Sequence, residues 1–325
     1  MFSRADRPSP LPARLARAAS DLPSPWVMCP TVAHDTLVAQ NVSKEGLVPE
    51  GHTIHRLAKD LGGLFEGQAL VASSPQGRFD AGAARISGRT LTSTDAWGKH
   101  LFLGFAEEAL GPDELVHIHL GLYGSFRRGP GAAPAPQGAI RLRLVGERGW
   151  AELRGATTCE LLDPPGRERL LLRLGPDPLR PGTDVARVVD RFGKSRVAVA
   201  GVLMDQSVLA GVGNAFRAEL LFRHRIDPFL PAAALPRSSV EALWTDLVAL
   251  MRVGVRNDRM ITTRPEHRDK PKGTVRPDDQ YYVYRRAGEP CRVCGTLVAK
   301  EEFQTRSLYW CPTCQPEGSG STPRE

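Results

Sequence analysis

Three short stretches of the chain combine residue types that could do chemistry. Near the C-terminus, four cysteines form two tight pairs, Cys291-x2-Cys294 and Cys311-x2-Cys314. Zinc takes a tetrahedron of deprotonated thiolates, and each CxxC turn presents two sulfurs on one knuckle. Two knuckles on a hairpin therefore close a structural site with no position open for substrate. Disulfides are the competing use, but no secretion signal accompanies the pairs, so one structural Zn2+ is expected. Cys29 and Cys159 stand alone and read as a loop thiol and a buried small apolar residue. Between the knuckles, Gln304-Thr305-Arg306-Ser307 falls at a hairpin tip, where Arg306 either meets a phosphate or stays solvated.

The second stretch is Ala210-Gly211-Val212-Gly213-Asn214-Ala215-Phe216-Arg217. Its glycines let the backbone approach a neighbour closely, and a helix starting at Asn214 offers free N–H groups to an anion. Ordinary helix-turn-helix packing is the alternative. The third stretch is Leu47-Val48-Pro49-Glu50-Gly51-His52-Thr53. Proline and a carboxylate suit the first turn of a helix. Were the chain to begin at Pro49, its secondary amine would also be a nucleophile of roughly neutral pKa.

These groups need elements to hold them. At 325 residues, 41% hydrophobic and 24% charged, the chain is long enough for two domains with real cores. Residues 1–47 are rich in proline and small residues without a sustained period, and read as a disordered extension. Ile54, Leu57, Ala58, Leu61 and Leu64 are spaced for one face of a helix ending near Gly67. Period-2 alternation follows in Ala83–Ser87, Leu101–Phe105, Leu115–Leu120 and Ala139–Val145, predicting a β-sandwich or flattened barrel behind that helix. The Pro/Gly-dense Leu174–Gly182 marks a hinge, after which the texture is helical, with helices over Ala215–Arg223 and Val240–Val255. Residues 256–279 are polar and proline-rich and read as a mobile loop. His117 and His119 alternate on one strand and receive no catalytic role. The net charge of +7 raises the odds of a polyanionic partner, and no apolar run is long enough for a membrane helix, so a cytoplasmic protein is expected.

Taken together, PEGHTIHRLA from Pro49, WGKHLFL from Trp97, HLGLYGSF from His119, DQSVLAGVGNAFRAELLFRHRIDP from Asp205, and YVYRRAGEPCRVCG from Tyr282 with RSLYWCPTCQ from Arg306 resemble the formamidopyrimidine-DNA glycosylase and endonuclease VIII family. The match runs in order over about residues 48 to 315, and Pro-Glu-Gly looks like the endonuclease VIII branch, in particular its actinobacterial members. The resemblance implies an α+β multidomain fold. A catalytic β-sandwich domain with a leading helix spans 48–178, a hinge 179–194, a helix-two-turn-helix DNA-binding domain 195–281, a zinc hairpin 282–315 and a flexible tail 316–325.

It further implies a bifunctional DNA glycosylase and AP lyase of base excision repair, acting as a monomer on double-stranded DNA with oxidised, mainly pyrimidine, bases or abasic sites, near the nucleoid. Pro49 matches the nucleophile that attacks the sugar C1′ and forms an imine, and β,δ-elimination follows. Glu50 matches the carboxylate that assists ring opening and moves protons. Lys99 matches a lysine that contacts DNA at the lesion. Asn214 and Arg306 match residues that clamp phosphates, and Leu122 and Tyr123 match the loop that fills the gap left by the extruded base.

The chain departs from that pattern at one place: Pro49 follows Val48 and is acylated by it. Either Val48 occupies the position of an initiator that is later removed, or processing cuts after Val48, or the protein binds damaged or abasic DNA without catalysis. The first is expected here.

Overall fold

The structure, a computed structural model, describes residues 49–106 and 114–320. The expectations for residues 1–47, Val48 and Cys29 and for the last five residues of the tail lie outside these.

Helix α1 (Gly51–Phe65) forms where the spacing requires it, and buries Ile54, Leu57, Ala58, Leu61 and Phe65 along one face. Behind it lie two antiparallel sheets. One has the order β1 (Val71–Ser73), β6 (Ile140–Gly146), β7 (Gly149–Arg154), β5 (Ser125–Pro130). The other runs β2 (Thr90–Trp97), β3 (His100–Ala106), β4 (Glu114–His119), β8 (Thr158–Leu162). Leu101, Leu103, Val116 and Ile118 from one sheet and Leu142, Leu144 and Leu153 from the other share a core with α1, which is the expected sandwich.

Ala83–Ser87 is not a strand. Ala83–Ile86 belongs to helix α2 (Asp80–Ile86), with Ser87 as its C-cap; Ala83 and Ile86 are buried in it together with the preceding Phe79. The three-residue interval puts both apolar side chains on one helical face, and the run has no β-branched residue before Ile86 to favour a strand.

Helices α3 (Pro164–Leu172), α4 (Val185–Gly193), α5 (Val199–Met204), α6 (Asn214–Arg223) and α7 (Arg237–Asn257) follow. The interval 179–194, read as hinge, is largely α4. Asp184 caps that helix by accepting from Ala186 N at 2.9 Å, and Val188, Val189 and Phe192 enter the helical core. Their spacing is already helical, but proline and glycine just upstream hide it.

The loop 256–279 is also more ordered than its composition suggests. Met260, Ile261, Thr262, Thr263 and Asp279 are buried, and Thr262 N donates to Gln280 O at 2.9 Å, so both ends are tied down.

The chain ends in a hairpin of β9 (Ala299–Phe303) and β10 (Arg306–Trp310). Gln304 and Thr305, both at positive φ (49° and 62°), form its two-residue turn. Cys291, Val298, Leu308 and Cys311 belong to the same core as α4 to α7. The hairpin is thus part of the helical half.

Candidate active site

Three backbone segments meet at three glycines. Gly51 N donates to Gly211 O at 2.8 Å. A Cβ on Gly51 would lie 3.0 Å from Gly211 Cα, and one on Gly98 would lie 3.0 Å from Gly211 N. Gly98 and Gly211 also have φ of 56° and 94°, values open chiefly to glycine. This crossing brings together Glu50, just before Gly51, Lys99, just after Gly98, and the start of α6.

The free N–H groups at the start of α6 do receive an anion, and it is one from the protein itself. Glu50, fully buried, accepts from Gly213 N and Ala215 N at 2.8 Å and from Phe216 N at 3.3 Å. Charge-assisted bonds at a helix N-terminus stabilise a carboxylate, so Glu50 ties the sandwich to the helical half. Burial pushes the Glu50 carboxyl above its usual range, while Lys99 and the three amides pull it back. Burial likewise lowers the Lys99 ammonium, with Glu50 opposing and Arg306 reinforcing that shift.

Lys99 sits on the two-residue turn joining β2 to β3. Asp177 in the Leu174–Gly182 linker anchors that turn. Its Oδ2 accepts from Gly98 N at 2.7 Å and lies 2.7 Å from His55 Nε2, while Oδ1 accepts from Leu179 N at 2.8 Å. With Asp177 only 1% exposed, the supposed hinge here serves as a support for the lysine.

Asn214 faces the hairpin. Its Nδ2 donates to Ser307 O at 2.8 Å, and its Oδ1 accepts from Arg217, which is fully buried and reaches Ser307 O at 3.3 Å. Further along the same helix, Glu219 accepts from Tyr282 N, Val283 N and Tyr284 N, each at 2.8 Å. Helix α6 thereby fixes both the residue next to Arg306 and the segment leading into the zinc hairpin.

A cavity of about 140 Å³ opens where these parts converge. Pro49, Lys99, Leu122, Asn214 and Arg306 line it, joined by Ile54, His119, Leu120, Gly121, Met204 and Tyr284. Glu50 directly follows Pro49 in the chain and is buried rather than lining the cavity. Tyr123 is 86% exposed on the adjacent loop and is not part of the lining.

His119 and Tyr284 join the cavity without a signal of their own in the sequence. Both lie within stretches already singled out, but neither spacing nor period shows which way a side chain on a strand end or loop will point. Arg217 and Glu219 escape notice because a charge within an apolar helix usually reads as its solvated face.

The four cysteines converge as expected. All four Sγ atoms lie within 4.8 Å of one another, with Cys291 to Cys314 at 3.9 Å and Cys294 to Cys311 at 3.4 Å. Tetrahedral zinc with arms of about 2.3 Å requires sulfurs about 3.8 Å apart, so the four thiolates fit one structural zinc ion.

No helix among the described residues is long and apolar enough to cross a membrane. Residues 48–156 match the family model of the formamidopyrimidine-DNA glycosylase N-terminal domain. Residues 174–265 match that of its H2TH domain, and residues 288–316 that of a zinc finger found in FPG and IleRS. The chain is 47% identical over 273 residues to Endonuclease 8 1 of Mycobacterium bovis, covering 82% of this chain and 100% of that protein. It is 32% identical to the formamidopyrimidine-DNA glycosylase of Acidothermus cellulolyticus, over 83% and 96% of the two chains. Among solved structures, the MutM (FPG) protein of Thermus thermophilus superposes with a TM-score of 0.65 at 28% identity, over 83% of this chain and 100% of that one. The Lactococcus lactis Fpg in complex with DNA containing an abasic site has the same fold, with a TM-score of 0.69 at 21% identity over 82% and 100% of the chains. The chain belongs to the formamidopyrimidine-DNA glycosylase and endonuclease VIII family.

Proposed function

We propose that the protein is a bifunctional DNA glycosylase and AP lyase of base excision repair, acting as a monomer on duplex DNA that carries oxidised, mainly pyrimidine, bases or abasic sites. The observation that supports this most is the cavity itself: Pro49, Lys99, Asn214 and Arg306, drawn from four separate parts of the sequence, line one space. The endonuclease 8 and formamidopyrimidine-DNA glycosylase relatives support the same reading.

In this reading an extruded nucleotide enters the cavity, since its C1′ cannot be reached inside the base stack. The Pro49 nitrogen forms a bond to C1′ as the bond from C1′ to the base breaks, and the base leaves with a proton. Loss of the nitrogen's own proton and opening of the sugar ring leave an iminium. The iminium accepts electrons when C2′ loses a proton and the 3′ phosphate departs, and a second elimination releases the 5′ phosphate. In this reading Glu50, next to Pro49 in the chain, is the carboxyl group for the ring-opening proton transfers.

Lys99 and Arg306 provide positive charge at the cavity, and Asn214 adds an amide, which suits the phosphates flanking the extruded sugar. In this reading Leu122 and the exposed Tyr123 fill the space the nucleotide leaves. The four cysteines hold the zinc that keeps the Arg306 hairpin folded, and the zinc takes no part in bond making.

The mechanism needs a Pro49 nitrogen that is not acylated, so in this reading the active protein lacks Val48; the N-terminal family match begins at residue 48. The test is strand scission of thymine-glycol and abasic duplexes by protein beginning at Pro49. Cleavage of both, with undamaged duplex untouched, is expected. Salt-dependent binding to the lesion without scission would instead identify a non-catalytic damage binder.

A further inference from the structure

One face of the sheet that carries the Lys99 turn holds a line of rings with no part in the chemistry above. Across β3 and β4, Phe102 pairs with His117 and His100 with His119, and across β4 and β8, His117 pairs with Glu160. Alternate residues on a strand share a face, so these side chains stand side by side. The rings stack in the order Phe102, His117, His100, His119, with centroids 5.4, 5.1 and 4.9 Å apart and planes within 26°. The last of them, His119, lines the cavity.

Hydrogen bonds run along the same line. His117 Nδ1 lies 2.9 Å from Glu160 Oε1, and His117 Nε2 lies 2.9 Å from His100 Nδ1. His119 Nδ1 lies 3.0 Å from the carbonyl oxygen of Lys99. A carboxylate and a carbonyl only accept, and this settles the tautomers. Glu160 requires the proton of His117 on Nδ1, which leaves His117 Nε2 bare to accept from His100 Nδ1–H. Lys99 independently requires the proton of His119 on Nδ1, leaving its Nε2 bare.

Burial lowers all three imidazoles, His100 to about 3, and keeps them neutral. The charged groups facing the line act in both directions. Lys99 faces His100 and His119, and Arg173 faces His100, both opposing protonation. Arg167 lies over the Phe102 ring at 5.3 Å and pairs with Asp95 at 2.8 Å. Glu160 is the carboxylate that favours a charge on His117.

We propose that His117 and Glu160 are positioning residues for the active-site turn. Through His100, whose ring stacks on that of His119, they hold His119 in the ring orientation in which Nδ1 meets the Lys99 carbonyl and Nε2 is turned away from it. This rests on the reading of Lys99 as a residue that meets the lesion. A two-residue turn has few backbone contacts of its own, so a fixed carbonyl there governs where the lysine side chain can go.

Two measurements test the proposal. Nitrogen-15 spectra of the histidine rings in the full chain at neutral pH should show neutral Nδ1–H tautomers for His100, His117 and His119, and an Nε2–H tautomer at His117 or His100 overturns it. Single-turnover cleavage of an abasic duplex, in protein beginning at Pro49, should slow about tenfold in Glu160→Leu. Glu160→Gln keeps an acceptor for His117 Nδ1–H and should retain the wild-type rate. His117→Phe keeps the stack but removes both hydrogen bonds, and should slow like Glu160→Leu. Equal rates in the Leu and Gln variants, or loss of rate only where thermal stability also falls, would overturn the proposal. Should wild type itself fail to cleave, the reading of the site fails, while the tautomer spectra still decide the positioning.

Discussion

Glu50 Oε1 lies 2.8 Å from Ala215 N, so the carboxylate expected to act on the sugar is also the anchor that joins the sandwich to helix α6. One side chain thus carries a structural task beside the chemical one proposed for it. Glu50→Gln keeps the shape but turns an NH2 toward backbone N–H donors, so both tasks suffer. Base excision should fall by about 100-fold or more. Stability should drop by about 1–3 kcal/mol, read from denaturant unfolding, because buried donors lose their acceptor.

Asn214 is held by the zinc hairpin through Ser307 O and by Arg217. Asn214→Ala should weaken binding to a duplex with an abasic-site analogue about tenfold, with a smaller effect on undamaged duplex. Fluorescence anisotropy at fixed salt measures this. An equal loss on both DNAs would show that Asn214 serves the fold and not the lesion.

The hairpin shares its core with α4 to α7, so loss of zinc should be felt beyond the four thiolates. Chelation, or Cys294→Ser, should abolish cleavage and lower the melting temperature of the helical half. The sandwich, with a separate core, should keep its near-ultraviolet circular dichroism and unfold in a later transition.

Asp246 gives a pH dependence of stability. Arg223 holds it with paired bonds of 2.7 Å, and His224 Nε2 lies 3.2 Å away. Its hydrogen bonds and the Arg223 charge outweigh burial and hold the carboxyl below its ordinary value of 3.8. A depressed folded pKa adds stability that is present above the unfolded value and lost as pH falls toward the folded one. Asp246→Asn should therefore cost about 2 kcal/mol near neutral pH, with the difference from wild type shrinking below about pH 4.

Much of this site is legible in the residues themselves. The CxxC pairs, the Gly-Val-Gly-Asn turn and the Pro-Glu pair each state a local chemistry; the structure brings the last two together, and the cysteines converge in the hairpin that carries Arg306. What periodicity does not convey is how distant charges are used. Asp177 lies in a proline-rich stretch that looks like a hinge, yet it is buried and holds Gly98. Glu219 looks like the solvated side of α6, yet it gathers three amides from residues 282–284. Such groups are costly to bury without partners, and Gly98 N and the amides of residues 282–284 lie 63 or more residues away from them, beyond any local pattern. Ala83–Ser87, mostly within the helix Asp80–Ile86, reads as a strand for the opposite reason: in so short a run, alternation and helical spacing are hard to tell apart.

The central claim is that Pro49 is the nucleophile, and borohydride trapping tests it most directly. Protein beginning at Pro49 is incubated with an abasic duplex, the imine is reduced, and the cross-linked peptide is located by mass spectrometry. The account predicts a single adduct on the Pro49 nitrogen, with none at that position in protein that retains residues 1–48. No adduct, or an adduct on Lys99, would contradict it.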